Sequence, residues 1–415
     1  MTSTRAAPPE RRGGRLLALL VALNLVNYLD RYVPAAVLPL IETDLGLSHA
    51  RSGLLGTAFV LVYALASPAA GWLGDRRSRT RLAGVGALVF GLACFGSGLA
   101  PGFLLLLLFR ALTGAGEAGY ATVTPSILSD LYPEARRAWA LSIFYTALPV
   151  GSALGYLLGG FAGARWGWRQ AFAIAGLPAL ALGAVLLLVR DPERGALDAP
   201  APAGGPRHGL GLLLRRRSFL ANNVGQIFLT FGLGGIAFWM PSYLHHVRGL
   251  DLERAGALFG GVLAAAGFLG TIGGGALSAR LQRTGRGADF LVSGASMALS
   301  APFAVAAVLL PWPWAYWTAL FVAAALAFAN TGPLNAAIVN VVPADLRATA
   351  IAWNVLLIHL FGDALSPFLL GAMADALGLR AAVLSVSVVL AAGGLWLLGT
   401  ARLLVADLRP GSSRP

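Results

Sequence analysis

Twelve apolar stretches, each long enough to cross roughly 30 Å of hydrocarbon, run along the chain at residues 16–40, 50–73, 82–100, 103–130, 137–161 and 168–189, then at 217–244, 255–278, 287–310, 314–341, 346–373 and 380–404. With no water in the bilayer core, such a run must satisfy its own backbone N–H and C=O groups, which makes each one a helix. Composition agrees, because 57% of the residues are hydrophobic and 12% charged, leaving more apolar surface than a soluble interior can hide. The 53 glycines among 415 residues suit helices that approach through small side chains. The expected fold class is an all-α membrane protein with twelve transmembrane helices.

The first apolar stretch is longer than a secretory signal core and lacks a small-residue cleavage site, so it is expected to be the first span. One cysteine, Cys94, lies in an apolar run, which excludes an intrachain disulfide framework and a thiolate metal site. The net charge of +13 does not point to nucleic acid, because the 31 basic residues are all arginine and fall mostly between apolar runs. They carry topology instead. With both termini on one side, that side holds 23 of the 31 arginines, and the other holds Arg51, Arg165, Arg169, Arg248, Arg254 and Arg380. The positive-inside rule then places the N and C termini in the cytoplasm. An alanine-rich chain with arginine in place of lysine suggests a GC-rich bacterial genome, hence a multi-pass protein of the bacterial inner membrane.

The chain also repeats. Gly71-x-Leu73-x-Asp75-Arg76 returns as Gly275-x-Leu277-x-Ala279-Arg280, and Pro133-x-x-x-Arg137-Ala138 as Pro343-x-x-x-Arg347-Ala348. Both offsets are close to half the length, which argues for two six-helix bundles in the same orientation with a solute path where they meet. The domains expected are an N-terminal bundle at 1–190, a polar, proline-rich cytoplasmic linker at 191–216 and a C-terminal bundle at 217–415.

Three strings resemble the major facilitator superfamily: Gly71-Trp72-Leu73-Gly74-Asp75-Arg76-Arg77-Ser78-Arg79-Thr80-Arg81 its signature loop, Arg110-x-x-x-Gly114-x-Gly116 its fourth-span motif, and Gly151-x-x-x-Gly155-Tyr156-x-x-Gly159-Gly160 its fifth-span motif. A closer resemblance is to the Spinster family, through Asn27-Tyr28-Leu29-Asp30-Arg31-Tyr32, Gly114-Ala115-Gly116-Glu117-Ala118-Gly119-Tyr120, Phe144-Tyr145-x-x-x-Pro149-x-Gly151-Ser152 and His359-x-x-Gly362-Asp363-x-x-Ser366-Pro367. Two departures stand out: Ala279 replaces the acidic residue in the second signature loop, and Tyr156 stands where antiporter-like fifth spans carry proline.

Asp30, Arg31, Arg110, Glu117 and Asp363 fall at membrane depth, where an unpaired charge costs about 2.5–3.5 kcal/mol. Arg110 and Glu117, two helical turns apart, share a face, while Asp30 and Arg31 project about 100° apart. One reading makes Asp30 and Glu117 the proton-coupling residues, which exchange protons while competing for Arg31 and Arg110. The other makes all four a fixed ion-pair network. Arg31 can take two oxygens of a phosphate headgroup or simply partner Asp30. His359 and Asp363, four apart, are either a second titrating pair and headgroup contact or a satisfied core pair.

Tyr120, Tyr145, Trp239 and Trp353 are candidates to line an amphipathic path, and Asn335 is the asparagine placed at the cavity. Asn330, Asn340 and Asn354 add further polar groups, and Pro149, Pro241, Pro333 and Pro367 are candidate hinges. The superfamily resemblance implies a gating role for Asp75 with Arg76, whereas Arg77, Arg79 and Arg81 are read as positive-inside anchors. No metal site is expected, since His49, His208, His245 and His246 fall in predicted loops. Gly114-Ala115-Gly116-Glu117-Ala118-Gly119 satisfies the dinucleotide fingerprint but lies inside a span, where a packing face of Gly114, Ala118 and Thr122 accounts for it.

The resemblance implies secondary transport of an amphipathic lipid with a charged headgroup, a lysophospholipid or sphingoid phosphate, by alternating access coupled to protons. The substrate class comes from the family. The alternative is proton-coupled transport of a water-soluble organic anion or drug. An enzyme is not expected, since the chain has no Gly-x-Ser-x-Gly elbow or soluble catalytic domain. The expected partners are the substrate, protons and membrane lipids, with no cofactor and no nucleic acid, and the chain is expected to act as a monomer.

Overall fold

The computed structural model describes residues 9–195, 210–283, 287–342 and 346–407, and all regular structure among them is helical. The helices are α1 (Pro9–Leu45), α2 (His49–Arg76), α3 (Arg79–Leu99), α4 (Phe103–Ala121), α5 (Thr124–Leu131), α6 (Glu134–Trp166), α7 (Trp168–Leu187), a short α8 (Leu210–Arg215), α9 (Arg217–His246), α10 (Leu252–Gln282), α11 (Ala288–Leu309), α12 (Pro313–Phe328), α13 (Thr331–Val341), α14 (Arg347–Ile358), α15 (Ser366–Leu377) and α16 (Leu379–Asp407). Twelve stretches among the described residues are long and apolar enough to span a membrane, with α4 and α5 making one, α12 and α13 another, and α14 and α15 a third around a π-helical turn at His359–Asp363.

Helical bonding runs past the apolar cores, and this corrects one sequence expectation. His49 is the first residue of α2, and His245 and His246 end α9, so these histidines belong to helix ends. His208, Pro343 and most of the expected linker, 196–209, lie outside the described residues.

The chain divides into two compact units, residues 1–37 with 62–202 and residues 38–61 with 203–415. In the first, glycines set the helix spacing. Gly151, Gly155 and Gly159, one turn apart on α6, lie against α1 at Leu25–Leu29, Leu29–Tyr32 and Val33–Ala36. Gly86 of α3 meets Gly116 and Gly119 of α4, and Gly114 and Ala118 on the same helix are also buried. In the second unit, Gly294 of α11 meets Gly394 of α16, and Gly270 and Gly274 of α10 meet Ala325 and Ala329. Lipid gives helices no hydrophobic reason to associate, so this backbone proximity supplies the packing.

The second unit also takes in the tip of the α1–α2 hairpin, residues 38–61. Gly53 packs on the backbone of Pro367 and Phe368, and Gly56 on the Phe238 ring.

Two further correspondences extend the internal repeat. Gly46-Leu47-Ser48-x-x-Arg51 matches Gly249-Leu250-Asp251-x-x-Arg254. In both, the glycine has a left-handed φ (60° and 71°), and the next Ser or Asp side chain accepts from an N–H three residues on, at 3.3 and 2.8 Å. Gly167-Trp168-Arg169 matches Gly378-Leu379-Arg380, with φ of 88° and 87°. Arg169 and Arg380 each donate at 3.4 Å to a carbonyl at the end of a helix, Ala100 after α3 and Val308 in the last turn of α11.

Candidate functional site

In the first unit, α1 carries Asp30 and Arg31 on consecutive residues, and α4 carries Arg110 and Glu117 two turns apart. The structure pairs them crosswise. Nη2 and Nε of Arg31 donate to one oxygen of Glu117 at 2.6 and 3.2 Å. Nη1 of Arg110 lies 3.7 Å from Oδ1 of Asp30. Asp30 and Glu117 are fully buried, and the Arg110 side chain is 2% exposed.

Arg31 differs from the rest. Its side chain is 20% exposed, and its guanidinium lies between two rings, 5.2 Å from the Tyr28 centroid and 5.1 Å from that of Tyr63. The faces of both rings favour the cation. Sequence reasoning assigned neither tyrosine a role. Tyr28 lay inside a quoted family string, while Tyr63 sits in an apolar run with no signal of its own.

Four charges of balanced sign make this cluster electrically neutral, so it tolerates burial that a lone charge does not. Its hydrogen bonding is incomplete. Neither Asp30 oxygen, nor Oε1 of Glu117, accepts from a described N–H or O–H group. Buried carboxylate oxygens with spare lone pairs are where protons can be taken up.

The other sequence candidates are distributed as follows. Tyr120 is fully buried and donates to the Leu20 carbonyl at 2.6 Å, while Tyr145 is half exposed against Phe144. In the second unit, Nδ1 of His359 lies 3.0 Å from both oxygens of Asp363, the π-helical turn bringing the two side chains together. Asn335 is exposed and donates to the Thr331 carbonyl at 2.8 Å. Asn354 donates to buried Asn223 at 3.0 Å, Asn330 donates to Ala327 at 2.9 Å, and buried Trp239 donates to Pro367 at 2.9 Å. Asp75 is exposed, with its backbone carbonyl accepting from Arg194, and Arg76 stacks over Trp72 at 4.3 Å.

Arg79, expected to be a positive-inside anchor, is buried. Its guanidinium pairs with Asp130 and Asp191 and donates to the Pro192 carbonyl at 2.9 Å. Nothing local separates it from the other arginines of that loop.

The second unit holds a small apolar cleft of about 40 Å³, lined by Leu233, Phe259, Leu263, Val308, Leu320 and Leu390 among other uncharged residues.

Twelve spans in two glycine-packed units, with four opposed charges buried between the first and fourth spans, have the anatomy of a polytopic membrane transporter. The sequence pattern of the Major Facilitator Superfamily matches residues 20–362. Protein spinster homolog 1 of Homo sapiens is 35% identical, covering 96% of this chain and 82% of that protein; its Bos taurus counterpart is 34% identical over 95% and 81%. A solved structure of a bacterial homolog to the human lysosomal transporter Spinster superposes with a TM-score of 0.88 at 25% identity, covering 98% of this chain and all of that one. A D-xylose–proton symporter shares the fold at a TM-score of 0.74 and 16% identity, over 92% and 96% of the two chains. The chain belongs to the Spinster family of the major facilitator superfamily, and it is a transporter rather than an enzyme.

Proposed function

We propose that the chain moves an amphipathic lipid with a charged headgroup, such as a lysophospholipid or a sphingoid phosphate, by alternating access coupled to protons. The Arg31–Glu117 pair carries this reading. Arg31 is the partly exposed member of the cluster, and its planar fork fits a phosphate as well as it fits a carboxylate. A headgroup that takes Arg31 leaves Glu117 buried without its cation, and a carboxylate in that position binds a proton. Substrate and proton are then exchanged at one arginine.

Asp30 and Arg110 repeat the pairing of a carboxylate with a guanidinium, here 3.7 Å apart and wholly buried. Tyr120 and Tyr145, with Asn335, His359 and Asp363 of the second unit, complete the proposed substrate-contacting set. Asp75 and Arg76 are proposed to act at a gate. We further propose cytoplasmic termini, residence in a bacterial inner membrane and action as a monomer.

Proteoliposomes given an imposed proton gradient test the reading, with labelled lysophospholipid compared against small organic anions. The lipid is expected to accumulate. Asp30→Asn and Glu117→Gln are each expected to reduce gradient-driven accumulation to background while the protein elutes unchanged on size exclusion. An inert lipid alongside a carried organic anion would replace the substrate class. Full gradient-driven uptake in both variants would make the carboxylates structural.

A further inference from the structure

Four ionisable groups from four helices meet at the end of the second unit remote from the termini, and the transport reading uses none of them. Glu42, in the last turns of α1, is 8% exposed. Nδ1 of His49, at the start of α2, lies 2.9 Å from its Oε1, and Nε2 of His246, at the end of α9, lies 3.9 Å from its Oε2. Asp375, near the end of α15, accepts from the backbone N–H groups of His49 and Ala50 at 2.8 and 2.9 Å, so a carboxylate from a distant helix caps α2. The His49 ring stands edge-on to Trp239, with centroids 5.5 Å apart.

The neighbouring charges are accounted for. His245 stacks on His246 at 5.0 Å and bonds the Leu250 carbonyl through Nδ1 at 2.8 Å. Arg248 is turned to the carbonyls of Ala307, Val308 and Leu310, and Arg51 is exposed.

We propose that Glu42, His49 and His246 form a proton-operated latch that docks the tip of the α1–α2 hairpin on the second unit. The remainder of α1 and α2 belongs to the first unit, so the tip is tied through continuous helices to both units. Both histidines reach water, their side chains being 29% and 41% exposed, and protons arrive from the side remote from the termini.

A proton on either ring adds the attraction of opposite charges to its contact with Glu42, at hydrogen-bond distance from His49 and at 3.9 Å from His246. Protonation therefore favours the docked tip. Docking strengthens as pH falls through the range in which histidine takes up a proton. Asp375 adds a contact to backbone N–H groups that is insensitive to pH across that window. The pH response of the latch is carried by its histidines and not by Asp30 or Glu117.

Spin labels on Arg51→Cys and Leu377→Cys report docking in lipid nanodiscs. Both parent residues are exposed, and the one native cysteine, Cys94, is buried and does not compete for label. Between about pH 8 and about pH 5.5, either side of the histidine value, the short-distance population is expected to rise by roughly threefold to tenfold, the range set by one charge-assisted hydrogen bond. His49→Gln with His246→Gln should abolish the pH response while keeping hydrogen-bonding side chains and the same elution profile. Asp375→Asn should lower the docked population at both pH values and leave the ratio between them intact. Asp30→Asn with Glu117→Gln should also preserve the ratio. The proposal is overturned by a parent population that ignores pH, by a full pH response in the histidine variant, or by loss of the response in the Asp30 and Glu117 background.

Discussion

Arg79 holds together a corner of the first unit that the transport cluster does not reach. Its backbone N–H donates to Asp191 at 2.7 Å, and its guanidinium bridges Asp130 and Asp191 and bonds the Ser126 carbonyl at 3.3 Å. Removing the cation leaves two carboxylates that are 10% and 19% exposed, and breaking such a pair costs about 3–5 kcal/mol, with the lower end expected because Asp191 still reaches water. Arg79→Ala should therefore lower the melting temperature of the purified protein clearly, while Arg77→Ala and Arg81→Ala, at exposed positions of the same loop, leave it unchanged. Equal melting for all three variants would reduce Arg79 to an anchor. At this scale the sequence was informative where chemistry is expensive. Asp30, Arg31, Arg110 and Glu117 were legible because a charge in hydrocarbon demands a reason. Which arginine meets which carboxylate was not legible, because side-chain direction on two packed helices depends on their rotation, a tertiary quantity. Arg79 was hidden for the opposite reason, standing among arginines whose default role is topological.

Helices in this molecule are placed by their glycines, and the glycine that matters need not be the one in a motif. Gly275 heads the second copy of the signature loop, yet a Cβ there would meet nothing within 4 Å. Its neighbour Gly274 would place a Cβ 2.5 Å from the Ala329 Cα and 2.6 Å from its carbonyl carbon. Gly274→Ala must push α10 away from the end of α12, an overpacking that costs about 1–3 kcal/mol. Gly275→Ala should hold or raise stability, since alanine is better in a helix interior by about 1 kcal/mol. Thermal melting of both variants in one detergent decides it, and a stable Gly274→Ala protein would show that this interface is soft. The second copy also lacks an acid at Ala279, and buried Asp289 stands near, accepting from Ser278 and Gln282 at 2.6 and 2.7 Å. Helix existence was legible from apolar length. The π-helical turn at His359–Asp363 was not, because one extra residue per turn leaves no mark on composition. The paired Gly-Leu-cap strings at Gly46 and Gly249 were readable, being a left-handed glycine followed by an N-cap in both halves.

At the scale of the whole molecule, the arginine distribution around twelve candidate spans carries the expectation that both termini face the cytoplasm. The bias is spread over many short loops, and no single loop decides it. Arg280 in the last turn of α10 is followed in sequence by Arg283 and Arg286, whereas the connection from α1 to α2 is followed only by Arg51 in the first turn of α2. Insertion retains arginine on the cytoplasmic face, so the expected arrangement has the hairpin tip outside and the α10–α11 loop inside. Arg51 and Arg283 are both exposed, and Cys94 is buried, so single cysteines at either place can be read against a silent background. In intact cells a membrane-impermeant maleimide should label Arg51→Cys at once and Arg283→Cys only after permeabilisation. The reverse pattern would invert the molecule. It would also move the Glu42, His49 and His246 cluster to the cytoplasmic face, where it would sense the pH of the other compartment. Orientation is therefore what gives the buried carboxylates and the histidine cluster their direction, since a proton gradient can drive a cycle only if the groups that bind protons face known sides of it.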